Sequence, residues 1–266
     1  MVISSPILSD LKGRFPFRLG TTSYILPDAI LPNVRFLAPL LDEIELVLFE
    51  SGREDNLPSG EDIATLAALG EQYRLTYNVH LPTDVLLGHP DADVRAAAGA
   101  TIMRFYERTR SLQPTAYCLH LEKDRHQEMT PDIVGVWLTN LLYSLEILFA
   151  AGLPPSLVAV ENIDYTFHWI YPLIRDLDLP ICLDIGHLLI QGEDVETYLD
   201  LYGDRTVMIH LHGVEEGRDH RSLMGIPDRE WRIIAAFLKD YRGGLSIEVF
   251  SRNDLHRSLT RMEEML

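Results

Sequence analysis

Histidine, aspartate and glutamate recur along this chain at the ends of short apolar runs. His80 follows TYNV, His120 follows YCL, Glu161 follows VAV, Asp184 follows ICL, His210 and His212 lie in MIHLH, and Glu248 follows LSI. Imidazole and carboxylate are the groups a divalent cation takes from a protein, and mixed nitrogen and oxygen donors suit Zn or Mn, and also Fe or Co, better than Mg or Ca. Cys118 and Cys182 stand in no metal or redox spacing, so a closed structural thiolate site is not indicated and an open catalytic one is. His80, His120, Glu161, Asp184, His210, His212 and Glu248 are therefore candidate metal ligands, with the number of ions left open.

Each has a plainer explanation. A lone His at a strand end is more often a hydrogen-bonded polar residue than a ligand. Glu161 or Glu248 could pair with an arginine inside the fold, and Asp184 could cap the helix that follows it. Those explanations must be repeated independently for six strand ends, whereas one cation accounts for all of them. It also removes the several kcal/mol that each uncompensated inward charge would cost.

Further candidates lie just beyond the strands. In LDIGHL, His187 comes three residues after Asp184 and could bracket the same ion or a neighbouring one. In GRDHRSLMG, expected to be a loop, His220 is a further ligand or an acid/base, while Arg218 and Arg221 could clamp a phosphate or form ordinary surface ion pairs. Tyr24, in TTSYILP, could pack on a large flat substrate or cap the fold. Glu161 and Glu248 are candidates for catalysis as well as ligation, and Glu122 could orient a water. His89, His126, His168 and His256 fall in helices or early loops and read as packing or surface residues.

The elements that must position these groups alternate. The expected strands are FRLGTTS from Phe17, EIELVLF from Glu43, LTYNVHL from Leu75, AYCLHLE from Ala116, LVAVEN from Leu157, ICLDIG from Ile181, VMIHLHG from Val207 and LSIEVF from Leu245. Between them run amphipathic stretches such as EDIATLAALGEQY, DADVRAAAGATIMRFYERTRSL, PDIVGVWLTNLLYSLEILFAAG and PDREWRIIAAFLKDY. Eight such βα units predict an α/β fold, a closed (β/α)8 TIM barrel, with the site at the carboxyl ends of its strands. Because strand residues two apart share a face, Cys118 with His120, Cys182 with Asp184, His210 with His212 and Ser246 with Glu248 should all face the interior. An open doubly wound sheet is the rival, but GTTSY offers one glycine and leads into Pro27, poor material for a dinucleotide loop. No repeat or linker divides residues 1–266, which read as a single domain.

With 47% hydrophobic residues over 266 positions, the chain can bury one large core without disulfides. A net charge of -17 is hard to reconcile with gripping duplex DNA. A small-molecule substrate is expected, with no nucleic acid and no membrane. The N-terminus lacks a signal pattern, and the apolar runs read as interrupted by charge or Pro within about ten residues, short of the ~20 that span a bilayer. A cytoplasmic location follows from this reading; the sequence does not fix an oligomeric state.

These residues resemble the xylose-isomerase-like barrels, a superfamily that includes sugar isomerases and epimerases and nucleases of the endonuclease IV type. The isomerase branch implies one ion held by Glu161, Asp184, His210 or His212, and Glu248. The nuclease branch implies added histidines that match His80, His120, His187 and His220. Its Asp-x-His motif is incomplete here, since Arg218 stands where the Asp belongs. Within the superfamily, LGTTSYILPDAILPNVRFLAPLLDEIELVLFE, LTYNVHLPTDVLLG and YCLHLE resemble the cobamide-remodelling phosphodiesterases. That likeness implies metal-dependent hydrolysis of the nucleotide-loop phosphodiester of an adenosylated cobamide, giving cobinamide phosphate and a lower-ligand riboside. Sugar isomerisation or epimerisation at a single ion is the alternative, and leaves His80 and His120 unexplained; abasic-site cleavage ranks third on charge.

Overall fold

The computed structural model describes residues 8–52, 57–124 and 128–266; His126 lies outside them. Eight parallel strands close a barrel: β1 (Arg18–Thr22), β2 (Glu43–Val47), β3 (Thr76–His80), β4 (Tyr117–Leu119), β5 (Val158–Glu161), β6 (Ile181–Asp184), β7 (Thr206–Leu211) and, after an added hairpin, β10 (Gly244–Ile247). β10 pairs with both β1 and β7, so no edge is left open. The closed parallel barrel expected from the alternation is thus present; six expected strands contain the observed one, and β7 and β10 each begin one residue earlier than expected.

The helices form where the sequence supplies starts. Ser59 and Asp62 make a reciprocal capping box at the head of the helix Gly60–Tyr73. Thr130 caps Pro131–Ala150, with Pro131 at its first position. The helix Asp228–Leu238 begins one residue after Pro227, which sits at the N-cap.

The expected limit on apolar runs needs correction. Residues 133–145 carry no charge, and the helix Pro131–Ala150 is long and apolar enough to cross a membrane by length and composition. Its Trp137, Leu141, Leu145 and Leu148 are buried, and they join the main core. That is the face a helix in the outer layer must bury.

A second correction concerns the segment after β7. It is a β-hairpin, β8 (Gly213–Glu215) against β9 (Arg218–Arg221). Glu216 and Gly217 have φ of 55° and 72°, the left-handed pair of a two-residue hairpin turn. His220 is also left-handed, at φ 51°, a conformation that costs a non-glycine residue energy and needs surrounding structure to hold it.

Inside the barrel, the wall below the strand ends is lined by small and sulfur-bearing side chains. Ala116, Cys118, Ala159, Cys182 and Met208 form their own buried cluster. Lower still, Glu43 is buried and accepts hydrogen bonds from Arg18, Thr76, Asn78 and Thr115, so its charge is fully met.

Candidate metal centre

The alternation of a strand brings the predicted donors to one place. His80, Glu161 and Asp184 are the last residues of β3, β5 and β6, while His120, His212 and Glu248 follow β4, β7 and β10 by one position. Asp184 and His210 are paired across β6 and β7. His80, Glu161, Asp184, His210, His212 and Glu248 are all at most 2% exposed.

Glu161 is the hub. One of its oxygens lies 3.0 Å from His120 Nε2, 3.3 Å from His80 Nε2 and 3.4 Å from His210 Nδ1, and it accepts from Cys118 Sγ at 2.8 Å. Its other oxygen is 3.6 Å from His187 Nδ1. Glu248 lies 3.6 Å from His210 Nδ1 and 3.4 Å from His220 Nε2. Donor atoms of Glu161, Asp184, His210 and Glu248 all fall within 4.8 Å of one another, as do those of His80, Cys118, Glu161 and His210, and those of His187, His212 and His220.

Surrounding groups fix the rings. His80 Nδ1 meets the carbonyl of Leu81 at 2.9 Å, His120 Nδ1 meets Glu122 at 3.1 Å, and Asn162 donates to the carbonyl of Asp184. Such outer contacts turn the opposite ring nitrogen toward an ion. Asp184 does cap the helix Ile185–Gln191: one oxygen accepts the His187 amide at 2.7 Å. Its other oxygen has no hydrogen-bond partner, so capping and ligation are compatible in one residue.

His212 behaves differently from His210. The His220 amide donates to His212 Nδ1 at 2.9 Å, which places the proton of a neutral His212 ring on Nε2, 3.3 Å from Asp184. His212 therefore turns its N–H side toward Asp184, without an aligned bond, and has Nδ1 already taken, whereas neither nitrogen of His210 has an aligned partner. Gly186 makes room for this: a Cβ there would collide with the His212 ring.

The fit to a cation is supported by these orphaned atoms. One oxygen each of buried Asp184 and Glu248 and Nδ1 of His210 lack partners, the condition a bound ion relieves. The electrostatics agree. Burial opposes a charge on His120, but Glu161 and Glu122 raise its pKa to about 10. Burial likewise opposes charge on His220, which Glu248, Asp184 and Asp219 raise to about 9. Burial alone would push Glu161 up, yet His120 and His210 hold it well below the usual carboxylate range. The barrel mouth is thus a set of carboxylates balanced by protons that a divalent ion can replace.

A cavity of about 780 Å³ opens beside the cluster, lined by Tyr24, Ile25, Pro27, Phe49, Phe250 and Arg252 among others. Phe49 packs edge-on to His80 and Phe250 lies 5.2 Å from the His220 ring, so this largely apolar cavity adjoins the donors directly. Arg218 is exposed and Arg221 half-buried on β9. His89, His168 and His256 lie away from the centre, His89 accepting the Asp91 amide in a connecting segment. Glu122 takes a place on His120. Glu45, not anticipated from the sequence, lies 2.9 Å from His210 Nε2.

No curated protein sequence matches the chain. Among solved structures, a D-tagatose 3-epimerase-like protein is 20% identical, covers 94% of this chain and 97% of its own, and superposes with a TM-score of 0.76. D-psicose 3-epimerase from Clostridium cellulolyticum H10 is 16% identical, with coverage of 94% and 98% and a TM-score of 0.73. The IOLI protein with a bound zinc atom is 12% identical, with coverage of 94% and 96% and a TM-score of 0.71. At these identities the likeness is one of fold. Residues 41–265 match the xylose isomerase-like TIM barrel family, and the chain belongs to that family.

Proposed function

We propose that the protein is a metal-dependent phosphodiesterase acting on cobamides, cleaving the nucleotide-loop phosphodiester to give cobinamide phosphate and a lower-ligand riboside. The observation that carries this reading is the surplus of donors. Glu161, Asp184, His210 and Glu248 suffice for one ion, yet His80, His120 and His187 also converge on Glu161. A shared carboxylate with imidazoles on both sides suits more than one ion, the arrangement that clamps the attacking and leaving oxygens of a phosphoryl transfer. Zinc or manganese fits the donor set, with iron or cobalt also compatible.

Divalent ions held there would supply Lewis-acid stabilisation of charge on phosphorus and bring the pKa of a water toward neutrality. The chain's own groups do the rest. Glu161 and Glu248 hold the centre together, Glu122 orients His120, and His212 steadies Asp184. Water adds to phosphorus as the bond to the ribosyl oxygen breaks; the phosphate stays with the corrinoid and the leaving oxygen takes a proton. His220 Nε2, at the seam between Glu248 and the cavity, is placed to deliver that proton. Tyr24, Phe49 and Phe250 offer apolar surface to a large flat substrate, and Arg218 and Arg221 stand on the hairpin where a phosphate would enter.

Epimerisation of a sugar is the second reading, favoured by the four-residue ligand set and by the fold shared with a D-tagatose 3-epimerase-like protein and a D-psicose 3-epimerase. Anaerobic incubation of the metal-reconstituted protein with adenosylcobalamin, followed by chromatography and mass spectrometry, separates the two. Cobinamide phosphate that disappears with a chelator supports hydrolysis. Intact corrinoid with a loaded centre, together with interconversion of a ketose pair, transfers the reading to epimerisation.

A further inference from the structure

The two glutamates of β2 share a face but not a task. Glu43 accepts from four side chains low in the barrel. Glu45, fully buried two residues on, accepts from Ser246 Oγ at 2.5 Å through one oxygen, while the other has no aligned donor. That second oxygen lies 2.9 Å from His210 Nε2. Ser246 is paired with His210 across β10 and β7, so Ser246 fixes the carboxylate against the same stretch of wall that carries the ring. On its other side, His210 turns Nδ1 toward Glu161 at 3.4 Å and Glu248 at 3.6 Å.

We propose that Glu45 is a positioning residue of the metal centre: it holds the Nε2–H of His210 and so presents Nδ1 to the ion. A carboxylate behind a ligating imidazole selects the tautomer, restricts rotation of the ring and makes the opposite nitrogen a better donor. Burial makes the contact consequential, because no water competes for either partner. Ser246 acts one step further out, through Glu45. The inference rests on His210 being a ligand, and is independent of which substrate the centre serves.

The test uses the full chain with 15N-labelled histidine, loaded with zinc alone. Long-range proton–nitrogen correlation spectra, with His210 assigned by difference from His210→Asn, are expected to show Nε2 protonated and Nδ1 zinc-bound. The reverse tautomer overturns the proposal. Competition titration supplies a second readout: Glu45→Ala is expected to weaken zinc binding ~10–100-fold, and Glu45→Gln, whose carbonyl oxygen can still accept, to recover most of that loss. Equal zinc affinity in parent and Glu45→Ala overturns it as well. If Glu45→Ala does not fold, the parent spectrum still decides the tautomer. A chain that takes up no zinc defeats the metal reading itself, whereas bound zinc with a reversed His210 defeats this proposal alone.

Discussion

Imidazoles from three strands, β3, β4 and β7, and from the helix after β6 meet on Glu161, so its loss should be felt at every sub-site at once. Glu161→Ala and His120→Ala are expected to abolish metal-dependent turnover while circular dichroism remains that of the parent; undiminished turnover in both variants would defeat the metal reading. Glu122 touches only His120 within the cluster, so Glu122→Ala should cost less, ~10–100-fold in metal affinity or activity. Most of these residues were legible in the sequence, because a ligand-type side chain at the end of an apolar run is conspicuous when it recurs strand after strand. The choice between His210 and His212 was not, since it turns on a backbone amide from a different segment reaching His212 Nδ1. Glu45 was also missed. EIELV reads as an apolar strand, and the available signal was that two glutamates at i and i+2 must share the barrel's interior face.

The hairpin is the element the sequence did not disclose. VEEGRDHR has no apolar alternation; its side chains are half-buried or exposed, and at Gly213 a Cβ would strike the carbonyl of Ser222. Its Glu-Gly pair, both residues left-handed, was the recoverable hint. Gly217→Ala, with φ at 72°, is expected to cost about 1 kcal/mol in denaturant unfolding and to lower turnover by loosening His220. The helix Ile185–Gln191 makes a sharper case. Gly186→Ala drives a methyl into the His212 ring, and overpacking of this kind costs ~1–3 kcal/mol. An unfolding midpoint equal to the parent's would show that the ring can move aside without penalty.

At the scale of the whole molecule, barrel closure was readable from the count of alternating units, because eight parallel strands with crossing helices leave few other solutions. Boundaries were less so; strand ends in a barrel are set by register with neighbours and not by local sequence alone. The assembled mouth couples stability to pH. His120 has an ordinary pKa of 6.5 when unfolded and about 10 when folded without metal. Its contribution is therefore fully present below about 6.5 and lost as pH rises toward about 10. Metal acts in the opposite sense, since a ligating imidazole must give up its proton. The rise in Tm on adding zinc is accordingly expected to be larger at pH 8.5 than at pH 6, as read by thermal melts of the same preparation. A zinc effect that shrinks over that interval would contradict the assignment of these histidines as ligands.

The most direct test of the proposal that this centre serves phosphoryl transfer is the number of ions it holds. Elemental analysis of the zinc-reconstituted chain after removal of loose metal is expected to give more than one ion per chain, falling when His80 and His120 are replaced together. A single ion per chain, retained in full by that double variant, would contradict the phosphodiesterase account and leave His80 and His120 without a metal to hold.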